Sequence, residues 1–163
     1  LALDRFTEPE ATIGVFGAGT VPYYTGRPAI DFLGKMDPRI ARLAPDLSDS
    51  WSPGVAPRTP KISRPGHNKY DLEYSIQELK PTYVQGFDWY DQSVLDWAKD
   101  EYVTVTYDEG ASPEKVTWEE DKRVPWEEDK SIRLYLRRNS EEVRRDEVNA
   151  AVEAGEASLT IPN

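Results

Sequence analysis

A chain of 163 residues that is 38 % hydrophobic and 31 % charged is long enough for one domain with a buried core. Its nine Tyr, five Trp and four Phe are too many large rings for a polypeptide that stays unfolded. A formal charge of −10 repels nucleic-acid phosphates and anionic lipid, the absence of cysteine removes disulfides, thiolate catalysis and Cys-ligated zinc, and no run approaches the ~18–20 apolar residues of a membrane-spanning helix.

In chain order, residues 1–6 (LALDRF) place apolar side chains at helical spacing and read as the end of a helix. With Leu in first position, the chain reads as a piece of something longer. Residues 12–16 (TIGVF) form a short β-rich run, closed by the turn Gly17-Ala18-Gly19. Residues 20–26 suit a short helix or a tight loop, and 29–33 (AIDFL) a second strand. Asp37-Pro38 is an N-cap followed by proline at the first helical position, which starts a helix over 38–43. The proline-rich stretch 44–66 excludes regular structure and reads as a long loop.

Order resumes with Asp71, which can cap a helix over 72–80 whose Leu72, Ile76 and Leu79 share a face. Residues 83–84 form a third short strand. Residues 92–101 make an amphipathic helix, and 103–107 (VTVTY) and 132–136 (IRLYL) alternate as strands. WEEDK occurs at 118–122 and again at 126–130; it lacks the D-x-D-x-D-G spacing of a calcium loop and reads as a solvated acidic turn. Asn139 caps a last helix running to about Ala154, with Glu142 three residues on, and Gly155 ends it. The interleaved basic and acidic residues of 133–147 suit a salt-bridged surface. Such a charge balance also suits a protein kept soluble in strong salt. The succession predicts a single α/β domain over residues 1–163, a Rossmann-like layered sandwich with a mainly parallel central sheet.

The glycine turn after the first strand invites a dinucleotide-binding reading. That fingerprint needs a third small residue three positions after the second glycine, where this chain has Pro22 followed by Tyr23 and Tyr24. The alternative is a plain turn with backbone angles that suit glycine. His67, the only histidine, cannot build a multi-histidine metal site, and no serine has a nucleophile-elbow context. With Lys69 it offers polar recognition of an anion or a sugar hydroxyl, or else loop hydrogen bonding. Tyr23, Tyr24 and Arg27 follow the turn, where ligands bind in doubly wound sheets, or else serve core packing and a structural ion pair. Asp31 and Asp37 bracket the second strand's exit and could act as acid and base, although capping already accounts for Asp37.

Residues 12–43, TIGVFGAGTVPYYTGRPAIDFLGKMDPRIARL, and 65–84, PGHNKYDLEYSIQELKPTYV, together resemble the C-terminal soluble region of multi-spanning membrane glycosyltransferases of the GT-C type. There a strand, G-A-G, Y-Y-x-G-x-P, I-D-x-L-G, D-P and G-H-x-K-Y-D follow in order. The resemblance covers residues 1–90, including the proline-rich loop, and leaves 91–163 as a divergent C-terminal part. Such enzymes move a sugar from a polyprenyl-phosphate donor to a glycan, lipid or protein acceptor, and an extracytoplasmic α/β domain follows their transmembrane bundle. The resemblance implies a domain on the extracytoplasmic side of a cell membrane, partnered by the transmembrane part of the same parent chain, with residues 1–6 leading out of the last span.

The family's catalytic carboxylate lies between early membrane helices and has no counterpart here. The resemblance therefore implies an accessory domain, not catalytic alone, that helps seat a glycan acceptor or a lipid-linked sugar donor. Tyr23, Tyr24, Arg27, Asp31, Asp37, His67 and Lys69 are the implied substrate contacts, with rings stacking on sugar faces and charged groups bonding hydroxyls and phosphate. No cofactor, metal or nucleic-acid partner is expected. Two rivals stand beside this reading: a soluble Rossmann-like enzyme holding a nucleotide-type cofactor at Gly17–Gly19, and a non-enzymatic carbohydrate or interaction module.

Overall fold

A computed structural model describes residues 2–46, 68–86, 92–108 and 131–160. His67, both WEEDK repeats and most of the proline-rich stretch lie outside the described residues. The elements run α1 (Ala2–Phe6), β1 (Ile13–Val15), α2 (Thr20–Thr25), β2 (Ala29–Asp31), α3 (Pro38–Ala41), a π-helical segment (Glu73–Glu78), β3 (Tyr83–Val84), α4 (Gln92–Glu101), β4 (Tyr102–Asp108), β5 (Ser131–Arg137), α5 (Arg145–Glu153) and β6 (Ala157–Thr160).

The strands form one open sheet in the order β2-β1-β3-β5-β4-β6. β1 is parallel to β2 and to β3, whereas β3–β5, β4–β5 and β4–β6 are antiparallel. The sheet is thus mostly antiparallel, which corrects the expectation of a mainly parallel one. The reason lies in strand order. β1 to β4 all point the same way, but β5 inserts between β3 and β4, and β6 adds outside β4. Alternation of helices and strands along a sequence says how the chain crosses over; it does not say which strand is later threaded between the two it connects.

Alternation along each strand sorts the core into two faces. Ile13, Val15, Tyr83, Val105, Leu134 and Leu136 pack with Leu3 and Phe6 of α1 and Val148 and Ala151 of α5. Phe32, Val84 and Tyr102 pack on the other face with Leu72, Ile76 and Ala98. Gly14 shows why this second face needs a glycine in a strand. A Cβ there would lie 2.2 Å from Phe32 Cζ, so the ring lies where a side chain would stand.

Two helices differ from expectation. Over 72–80 the turn widens: Leu79 N–H donates to Tyr74 O, five residues back, at 3.0 Å, although Asp71 does cap it by accepting from Tyr74 N–H at 3.0 Å. α5 begins at Arg145 rather than after Asn139. Glu142 is drawn away from a capping role because its carboxylate takes a hydrogen bond from the Thr82 hydroxyl, which also lies 3.1 Å from Ser140 Oγ. Gly155 ends the helix at φ +74°, as expected, and the chain turns at once into β6, a strand too short and polar to stand out in the sequence.

Candidate functional site

β1, β2 and β3 deliver three loops to one edge of the sheet, and most of the sequence candidates lie in or beside these loops. After β1, Phe16 and Gly17 turn outward, and their N–H groups donate to Gln85 Oε1 at 2.9 and 3.2 Å. Gln85 follows β3 directly and is held in register by its own N–H on Gly14 O at 2.9 Å. The amides that would cradle a pyrophosphate are thereby already bonded to a side chain from the neighbouring strand. The glycines of the turn are not in the left-handed region, which corrects the expectation of glycine-specific backbone angles there. A Cβ at Gly17 would meet nothing nearer than 3.9 Å, and one at Gly19 nothing within 4 Å. No close approach of a helix or ligand demands either residue.

α2 follows the turn. Val21 packs on the core, Thr25 Oγ1 donates to Val21 O at 2.8 Å, and Gly26, at φ +64°, closes the helix with its N–H on Pro22 O. This short, well-tied helix carries Tyr23 and Tyr24 into solvent, at 81 % and 71 % exposure. Their rings meet edge to face, with centroids 5.2 Å apart and planes at 89°. Neither tyrosine is a core residue.

Arg27 is the opposite case. Its guanidinium is buried, pairs with Asp4 Oδ1 at 2.6 Å, and donates to the Thr7 and Leu3 carbonyls at 3.2 and 3.4 Å. It therefore caps the carbonyl end of α1, where a cation is favoured. The same guanidinium holds the Asp4 carboxyl below its usual range.

Asp31 ends β2 buried, with Oδ1 accepting from Leu33 N–H at 3.0 Å and Oδ2 from Met36 N–H at 2.5 Å. It organises the turn through Gly34, where φ is +69° and a Cβ would lie 2.8 Å from Ala41 N, so glycine is required. Asp37 caps α3 by accepting from Arg39 and Ile40 N–H at 2.8 and 3.0 Å. Lys69 donates to Ala41 O at 2.6 Å, at the far end of α3. His67 lies outside the described residues.

The two blocks that carry the resemblance are also tied to each other. Arg39 pairs with Asp71 at 3.3 Å and Glu78 at 3.4 Å and stacks over the Tyr74 ring at 3.8 Å. Asp46 N–H donates to Asn68 O at 2.6 Å, Asn68 Nδ2 returns a bond to Asp46 O, and Tyr70 OH bonds the Asp46 carboxylate. Reading the sequence missed Gln85 altogether, since a glutamine after a two-residue strand carries no signal of its own. It also missed Met36, which is exposed beside the Asp31 turn. Among the described residues, no group of His, Cys, Asp or Glu could hold a metal ion, and no helix is long and apolar enough to cross a membrane.

Fold and site together define a mixed α/β domain whose polar motif residues brace its own loops and whose aromatic pair faces outward. The chain belongs to the family described as Domain of unknown function (DUF8728), whose model matches residues 1–135. That extent passes residue 90 and takes in α4, β4 and most of β5. No curated protein and no solved structure matches the chain.

Proposed function

We propose that this chain is an extracytoplasmic accessory domain of a membrane glycosyltransferase, which helps seat a glycan acceptor or a lipid-linked sugar donor and does not catalyse transfer alone. The resemblance of residues 12–43 and 65–84 to GT-C enzymes motivates the reading. One observation carries it beyond resemblance: among the described candidates, Arg27, Asp31, Asp37 and Lys69 each bond the fold through their side chains, whereas the Tyr23 and Tyr24 rings stand exposed. Asp31 accepts backbone N–H groups through both carboxylate oxygens and Asp37 accepts two through Oδ1, which gives both a bracing role, while the exposed rings suit binding. On this reading β2-β1-β3, with its helix-bearing crossovers, is a Rossmann-like half extended by the antiparallel strands, and the partner is the transmembrane part of the same parent chain.

The test is to identify the protein that encodes this domain and assay it in membranes with a polyprenyl-phosphate sugar. Apolar spans upstream of α1, and transfer that fails when the domain is removed, are the expected results. A parent without membrane spans, or a purified domain that transfers sugar unaided, overturns the proposal.

A further inference from the structure

We infer that the Tyr23–Tyr24 corner of α2 binds the apolar face of a neutral pyranose ring and not the phosphate of a lipid-linked donor. This rests on the accessory reading and narrows it from acceptor or donor to the sugar alone. Residues 11–26 contain no charged side chain, although 31 % of the chain is charged. The first cation after them, Arg27, is buried and already bonded to Asp4 and two carbonyls. The backbone amides of Phe16 and Gly17 are occupied by Gln85. An anion at the two rings would therefore find no cationic side chain on α2 and no free amide at Phe16 or Gly17.

A sugar ring asks for something else. Its C–H face packs on an aromatic face, and its hydroxyls stay in water. Two rings set at 89° with centroids 5.2 Å apart form an open corner that can contact a pyranose on two sides. The pair needs little ordering, because Val21 and Gly26 fix the helix that carries it and a tyrosine has only two side-chain torsions. A lipid surface fits less well: α2 offers no exposed aliphatic or basic companion to the two rings, and the chain's charge of −10 opposes anionic bilayers.

The experiment is an NMR titration of the 163-residue chain with neutral trisaccharides of glucose, mannose and N-acetylglucosamine, and separately with farnesyl phosphate. Shifts centred on residues 20–26 with at least one trisaccharide are expected. Affinity should fall about tenfold in a Tyr23→Ala, Tyr24→Ala double variant, equivalent to one lost ring contact, and stay within about twofold in the double Phe variant. Circular dichroism checks that both variants remain folded. Farnesyl phosphate binding at α2 without trisaccharide binding overturns the inference and leaves the accessory reading standing, as does trisaccharide binding that survives the Ala variants. No response to either probe overturns both.

Discussion

Gln85 reaches from the end of β3 to the turn after β1, and its side-chain carbonyl accepts the Gly17 N–H at 3.2 Å while also holding Phe16. One side chain thus closes the seam between two parallel strands at the edge where α/β sheets commonly bind ligands. Replacing Gln85 with Ala should cost about 0.5–1.5 kcal/mol, the net value of such bonds near the surface. Denaturant unfolding measures it. Unchanged stability would mean that water replaces the glutamine without loss.

The glycines divide sharply. Gly14→Ala pushes a methyl into the Phe32 ring and should destabilise by about 2–3 kcal/mol, in the range of core overpacking. Gly17→Ala meets nothing within 3.9 Å and should change stability by less than about 0.5 kcal/mol, as surface substitutions do. A nucleotide-binding turn behaves the other way round, with Gly17 indispensable. Thermal melts of the two variants give the comparison.

Arg27 is a buried cation bonded through both terminal nitrogens, with Nε left without a partner among the described residues. Arg27→Met strips α1 of its carbonyl cap and takes the guanidinium from Asp4; a loss of about 2–4 kcal/mol is expected, as for breaking a buried charged network. Asp4→Asn should cost less, because Asp4 is half exposed and the two carbonyl contacts of Arg27 survive. Chemical denaturation of both variants gives the comparison, and equal losses would assign the whole effect to the ion pair.

The pH profile follows from two carboxyls and two buried tyrosines. Arg27 holds the Asp4 carboxyl below 3.8, and Arg144, 2.8 Å from Glu8, holds that carboxyl below 4.5. A carboxyl whose folded value is lowered adds stability that is fully present above its unfolded value and is lost as pH falls through the folded one. Acid unfolding should therefore steepen below about pH 4, and an Asp4→Asn, Glu8→Gln variant should show a shallower acid limb. At the alkaline end, burial pushes the Tyr83 hydroxyl up from 10.0 to about 12. Its neutral form is favoured in the fold, as is that of buried Tyr102, so stability falls as pH rises above 10, and Tyr83→Phe should make that fall shallower without removing it. Melting temperatures across both ranges provide the check.

An excess of ten negative charges predicts a salt response. Screening weakens self-repulsion, so the melting temperature should climb as KCl is raised from millimolar to molar levels. A flat or falling curve would show that local ion pairs such as Arg5–Glu156, 2.7 Å apart, outweigh net repulsion.

Much of the architecture was legible because local chemistry decides it. Asp37-Pro38 announces a capped helix, Gly155 its counterpart's end, and VTVTY and IRLYL their strands. The threading of β5 between β3 and β4 was not legible, since strand order depends on long-range pairing that no local pattern encodes. Nor could the sequence tell a charged residue that meets a ligand from one that meets the backbone. Arg27, Asp31 and Lys69 look alike as polar motif positions, and only their bonded partners reveal that each holds a turn or a helix end. The tyrosines invert the usual expectation, since large rings seldom face water without purpose.

The clasp between Asp46 and Asn68 has a corollary. Two bonds hold these positions together, and closure entropy grows by only about 0.6 kcal/mol for each doubling of the number of residues bridged, so a change of length between them should leave the sheet and its stability nearly unaltered.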